Sequence, residues 1–179
     1  LEKISYKGFI NVNESDKPVN LQVTLRSEKE TETLGQTLGK RLFPGSVVLL
    51  DGELGTGKTV FARGVGRALG VTALIQSPTF VILNVHKGRV PFYHFDLYRL
   101  DNESDLMNLD IDEYLEGDGV TLVEWAGKFP GFFPPSLRIR IDRIDEFGRI
   151  IRLTSESPSY DKILEEIRLG DEFLAGAGD

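Results

Sequence analysis

Cysteine is absent from all 179 residues, which excludes disulfides and thiolate metal sites. The two histidines, His86 and His94, are too few for a convincing histidine-based metal centre. No run of about 18 apolar residues occurs, so no membrane span is expected. The first residues show no basic-then-apolar signal pattern, and cytoplasmic residence is the expectation. A basic excess is also missing: 21 Lys+Arg stand against 28 Asp+Glu, a formal net charge of −7. Free-standing nucleic-acid binders usually show the opposite balance. Any nucleic-acid contact is therefore expected to be local or shared with a partner. Internal repeats and low-complexity tracts are lacking as well. What remains is 40% hydrophobic and 27% charged, the composition of a soluble globular protein, with the length of one domain.

Residues 1–22 mix polar and apolar types around the turn-rich stretch Asn11–Pro18, as an appended hairpin would. Ser27 and Glu30 then have capping-box spacing, and Leu34, Leu38 and Leu42 recur every four residues, an apolar helical stripe. Gly35 and Gly39 lie beside that stripe. Each costs about 1 kcal/mol against Ala in a helix interior, which suggests close approach to a neighbouring element or a ligand. Val47–Leu50 is a continuous apolar run, as a buried parallel strand requires. A Gly-rich loop and a helix over Lys58–Leu69 follow. Thr79–Val85 and Val90–Phe95 read as strands joined by His86–Arg89. Residues 102–116 read as one or two short helices, and Val120–Val123 as a buried strand. Leu137–Asp142 alternates apolar and charged residues and is expected to pair with Ile150–Leu153. Tyr160–Leu169 reads as a terminal helix. The expected fold is α/β: a P-loop NTPase-like mixed sheet with flanking helices and an inserted β-hairpin. The expected division is an N-terminal extension over 1–22, a P-loop domain over 23–170 and a tail over 171–179.

Gly52-Glu53-Leu54-Gly55-Thr56-Gly57-Lys58-Thr59 spells G-x-x-x-x-G-K-[ST], between an apolar strand and a helix. The glycines let several backbone N–H groups converge on one anion, and the helix adds the positive end of its dipole. Lys58 is placed to reach the β- and γ-phosphates, and the Thr59 hydroxyl to bind magnesium. Such a loop needs an acidic partner at the end of a second strand. Asp96 closes Phe92-Tyr93-His94-Phe95 and Glu124 closes Thr121-Leu122-Val123, so both are candidates. His94 shares a face with Asp96 if both lie on one strand, and a structural role is expected for it. No Asn-Lys-x-Asp guanine reader is present. Asp145-Glu146-Phe147-Gly148 has the spelling of a GTPase switch but falls at an expected hairpin turn. Arg138, Arg140 and Arg143 alternate along a strand, as a solvated face does, whereas a small-molecule kinase places arginines in a lid.

Five motifs in order make the sequence resemble the bacterial TsaE (formerly YjeE) ATPases. They are Thr31-x-x-Leu34-Gly35, the Gly52–Thr59 loop, Ser77-Pro78-Thr79-Phe80, His94-Phe95-Asp96-Leu97-Tyr98-Arg99-Leu100 and Val123-Glu124-Trp125. The resemblance implies a Mg-dependent ATPase, weak alone. It would act with the TsaD and TsaB proteins in forming N6-threonylcarbamoyl-adenosine in tRNA, with tRNA met at least through that complex. It implies that Glu53, Leu54, Gly55, Thr56, Gly57, Lys58 and Thr59 cradle ATP with Thr31 nearby. Thr59 and Glu124 would hold Mg2+, and Asp96 would polarise water or contact the metal through water. Ser77 and Thr79 would form a nucleotide-sensing switch, and Trp125 would pack the site or face a partner. Thr56 stands where Ala is common in the family, and Asp110 where Gly is expected. Two other readings compete: an independent small-molecule P-loop kinase and a nucleotide-gated binding module.

Overall fold

The structure is a computed structural model and describes residues 18–169. Of the turn-rich stretch Asn11–Pro18 only Pro18 is among the described residues, and the tail expected over 171–179 lies outside them. In chain order the elements are β1 (Asn20–Leu25), α1 (Glu28–Gly39), β2 (Val47–Asp51), α2 (Lys58–Ala68), β3 (Leu83–His86), β4 (Phe92–Asp96), α3 (Glu103–Met107), α4 (Asp112–Leu115), β5 (Val120–Glu124), β6 (Leu137–Arg143), β7 (Arg149–Ser155) and α5 (Pro158–Leu169).

One seven-stranded sheet runs in the order β1-β7-β6-β2-β5-β4-β3. β2 pairs in parallel with β5 and β6, and β4 in parallel with β5. β7 is antiparallel to β6 and β1, and β3 is antiparallel to β4. The sheet is therefore mixed, with the β3–β4 hairpin at one edge. β2 is apolar on both faces because both are covered. Val48 and Leu50 join α1, α2 and α5 in one core cluster. Val47 and Leu49 join Leu106, Ile111 and Leu115 of the α3–α4 side in the other. β6 keeps Leu137, Ile139 and Ile141 in the first cluster and turns Arg138, Arg140 and Asp142 away from it, the alternation read in the sequence.

Ser27 caps α1, its hydroxyl accepting from Glu30 N at 3.1 Å. The reciprocal arm goes one residue further back: Arg26 N donates to Glu30 Oε2 at 2.7 Å. The α1 glycines answer a packing demand. A Cβ on Gly35 would strike the Phe61 carbonyl, and one on Gly64 the Glu32 carbonyl, so α1 and α2 cross backbone to backbone.

Two local expectations change. The strand foreseen from Thr79 begins only at Leu83. Pro78 O accepts from both Val81 N and Ile82 N, which folds 78–82 into a turn, with Ile82 at φ 68°. The hairpin link is longer than His86–Arg89, because Pro91 has no N–H to give a ladder and Arg89 is tied elsewhere. Its backbone N donates to Leu69 O at 2.7 Å and its Nη2 to Gly39 O and Leu42 O. Asp110 adopts φ 48°, the left-handed turn that Asp tolerates better than most residues.

Candidate active site

The Gly52–Thr59 loop joins the C-terminal end of β2 to α2. Gly57 takes φ 104° at the α2 N-cap and supplies no side-chain cap, so the first N–H groups of α2 could donate to an anion. A Cβ on Gly52 would strike Ile141 O of β6, which explains glycine there. The Thr56 hydroxyl donates to Glu53 O at 2.9 Å and braces the loop from within. Its presence in place of Ala thus adds a hydrogen bond.

Lys58 is buried, and its Nζ donates to Gly52 O at 2.7 Å and Glu53 O at 2.9 Å. The ammonium also lies 3.9 Å from the centroid of the Trp125 ring, a cation–π arrangement. Burial holds its pKa below the usual lysine value, opposed by the charges of Glu124, Asp96, Asp51 and Glu53. Trp125 sits at φ 64°, and its partly buried ring packs against the second core cluster as well as lying beside Lys58.

Asp96 and Glu124 are Cα partners at the C-terminal ends of β4 and β5, where parallel α/β sheets bind ligands. Both are buried. Thr59 Oγ1 donates to Glu124 Oε1 at 3.1 Å. His94, fully buried on β4, donates Nε2–H to the same oxygen at 2.8 Å. His94 Nδ1 has no partner among the described residues. Asp96 Oδ2 accepts from Ser77 Oγ at 2.7 Å and Thr79 Oγ1 at 2.5 Å, and its Oδ1 from Tyr98 N at 3.0 Å. The chain thus brings Lys58, Thr59, Ser77, Thr79, Asp96, Glu124 and Trp125 to one end of the sheet. Among the described residues no three His, Cys, Asp or Glu side chains form a metal cage. Magnesium rarely uses one: it is held by one or two carboxylates together with substrate phosphates and water. The oxygen donors of Thr59, Glu124 and Asp96 suit that hard cation.

On the other flank a cleft of about 300 Å³ is lined by Thr31, Thr56, Val60, Glu146, Phe147 and Arg149, among others. Thr31 lies in this cleft, which Asp96 and Glu124 do not line. The β6–β7 turn is held by Asp145, whose Oδ1 accepts from Gly148 N at 2.6 Å and Phe147 N at 2.9 Å. Those two bonds, Gly148 first, keep its carboxyl below the usual range. Arg149 Nε donates to Thr56 O at 2.7 Å and ties the turn to the phosphate loop. Sequence reasoning identified the 145–148 turn but missed its place at this cleft. It also missed His94 as the partner of Glu124. Period-2 spacing put His94 on the face of Asp96, but the acid it meets is on the neighbouring strand.

The TsaE family model, described as threonylcarbamoyl adenosine biosynthesis protein TsaE, matches residues 25–151. A Bacillus subtilis protein named tRNA threonylcarbamoyladenosine biosynthesis protein TsaE is 38% identical over 145 residues, 80% of this chain and 90% of its own length. Proteins of the same name from Rickettsia bellii and Streptomyces coelicolor are 35% and 47% identical over 141 and 115 residues, covering 77% and 62% of this chain and 97% and 77% of their own lengths. The crystal structure of Bacillus subtilis YdiB superposes with a TM-score of 0.75 at 33% identity, over 86% of this chain and 97% of that one.

Proposed function

This chain belongs to the TsaE family, and from that premise we propose that it is a magnesium-dependent ATPase serving N6-threonylcarbamoyl-adenosine formation in tRNA, in concert with the TsaD and TsaB proteins. One observation carries the chemistry: Thr59, the last residue of the phosphate loop, is hydrogen-bonded to the buried carboxylate of Glu124. A hydroxyl and a carboxylate meeting behind an uncapped helix N-terminus form the metal half of a phosphoryl-transfer site.

In this reading Gly55, Thr56 and Gly57 offer backbone N–H groups to the phosphates, while Glu53 and Leu54 complete the loop. Lys58 exchanges the Gly52 and Glu53 carbonyls for phosphate oxygens. Thr59 and Glu124 would hold magnesium, and Asp96 would polarise water or contact the metal through water; the ion would supply positive charge to offset that on the transferring phosphate. Asp96 orients the attacking water. Among the described residues its Oδ1 accepts only from Tyr98 N and keeps a lone pair for that water, while the Ser77 and Thr79 hydroxyls on Oδ2 tie its orientation to the 77–82 segment. Ile82 at φ 68° is costly for a β-branched residue, and such strain accompanies switch segments. Phe80 and Val81 are exposed beside it, where a partner would sense the two states.

The kinase reading has less support. Arg138 is paired with Glu156, Arg140 with Asp142 at 3.0 Å, and Arg143 Nε donates to Asp145 O at 2.9 Å. None is free for a phosphate lid.

Calorimetric titration with Mg·ATP tests the site. Lys58→Ala is expected to weaken binding roughly 10- to 100-fold, the worth of a charged hydrogen bond. Unchanged affinity contradicts the assignment.

A further inference from the structure

Asp51 closes β2 one residue before the phosphate loop, at a position where the loop motif asks for no acid. Its Oδ1 accepts from Gly127 N at 2.7 Å, on the short 3-10 turn Ala126–Lys128 that follows Trp125. A Cβ on Gly127 would lie 2.9 Å from that oxygen, so the bond needs glycine as its donor. From the other end of the turn Lys128 Nζ donates to Tyr98 O at 2.7 Å and to Leu100 O, on the segment that leaves β4 just after Asp96. We propose that Asp51 and Lys128 are positioning residues for phosphoryl transfer. Through them the 125–128 turn bridges the ends of β2, β5 and β4 and fixes the phosphate loop, Glu124 and Asp96 at one spacing. The inference rests on the ATPase reading above and adds two residues to which that reading gives no contact with nucleotide or metal.

The three strands are neighbours in the order β2-β5-β4. Their paired registers end at Leu50–Glu124 and Asp96–Glu124, so beyond those pairs the sheet no longer sets the distances between the chains. The turn takes over there. Trp125 N donates to Leu50 O at 2.9 Å, and Trp125 at φ 64° then sends the chain back across the strand ends. Ala126 and Phe129 are buried in the second core cluster, which seats the turn firmly. Both anchors are charge-assisted, a carboxylate accepting from an N–H and an ammonium donating to carbonyls, and such bonds are the short, strong ones. The same turn carries the Trp125 ring, whose centroid lies 3.9 Å from Lys58 Nζ. Displacing it would disturb the phosphate-binding ammonium and the Asp96 arm together, and a misplacement of about 1 Å costs phosphoryl transfer far more than it costs binding.

The test reads two quantities: Mg·ATP hydrolysis by the chain together with TsaB, TsaD and tRNA, and the emission of Trp125, the only tryptophan, in the chain without nucleotide. Asp51→Ala and Lys128→Met are each expected to lower kcat about 10- to 100-fold with KM for Mg·ATP nearly kept. Each is also expected to move the emission to longer wavelength, as the ring meets more water. Asp51→Asn, whose amide oxygen can still accept from Gly127 N, is expected to restore most of both. Wild-type kcat or unmoved emission in Asp51→Ala or Lys128→Met overturns the positioning role while the ATPase reading stands. Asp51→Asn as slow as Asp51→Ala overturns it too, since the charge of Asp51 near Lys58, and not its bond to the turn, is then what matters. Wild-type chain that hydrolyses no Mg·ATP even with its partners overturns the ATPase reading, and this inference with it.

Discussion

Thr59 and Glu124 stand 65 residues apart in the chain, and the Thr59 hydroxyl donates to Glu124 Oε1 at 3.1 Å. β2 and β5 make that meeting possible: they pair in parallel with Leu50 opposite Glu124, so the loop leaving β2 passes over the end of β5. The end of the Gly52–Thr59 loop is thereby tied to the buried carboxylate of Glu124, the acid proposed to hold magnesium.

Glu124→Ala is accordingly expected to remove most Mg-dependent ATP hydrolysis, by about 100-fold or more, the scale of a metal's charge stabilisation. Nucleotide binding is expected to fall much less. Steady-state hydrolysis beside equilibrium binding checks the split. Normal hydrolysis by Glu124→Ala, with Asp96→Ala inactive, transfers the metal role to Asp96.

His94 holds the oxygen of Glu124 that Thr59 also uses. Losing such a partner of a metal-binding carboxylate typically costs 10- to 100-fold in metal affinity. His94→Ala should therefore raise the magnesium concentration needed for half-maximal hydrolysis roughly 10- to 100-fold, with metal-free nucleotide binding kept. A magnesium titration reads this directly, and an unchanged midpoint shows that His94 only fills space.

Away from the site, Tyr160 of α5 accepts a hydrogen bond from Val47 N at 2.8 Å. Tyr160→Phe leaves that buried N–H unpaired, at a cost of about 1–3 kcal/mol. Burial raises the pKa of the phenol above the usual tyrosine value, opposed by the hydrogen bonds to Val47 and Ser46. The folded chain thus keeps a proton that the unfolded chain has lost. This contribution is complete below pH 10 and is lost as pH rises through the raised folded value. Denaturant melts of wild type and Tyr160→Phe from neutral pH to about 11 should show their stability difference shrinking at the alkaline end.

Much of this site was legible because its signals are local. The Gly52–Thr59 loop lies between an apolar strand and a helix, and Asp96 and Glu124 each end an apolar run. Gly35 signalled a close approach, which proved to be the crossing of α1 on α2. What was illegible depended on tertiary placement. The 145–148 turn reads as an ordinary hairpin link, and its place at the cleft comes from Arg149 Nε reaching Thr56 O. The start of β3 was misplaced because Thr79–Val81 has strand composition, while Pro78 and the hydroxyl bonds to Asp96 fold it into a loop. Asp96 itself was expected as a metal acid, yet nothing in the spacing showed that Ser77 and Thr79 would hold its carboxylate.

A partner-dependent ATPase should hydrolyse ATP slowly as the purified chain alone and clearly faster with the cognate TsaB, TsaD and tRNA, and steady-state hydrolysis measured in both settings checks this. High turnover alone, unchanged by partners, contradicts it and points to an independent enzyme with another substrate.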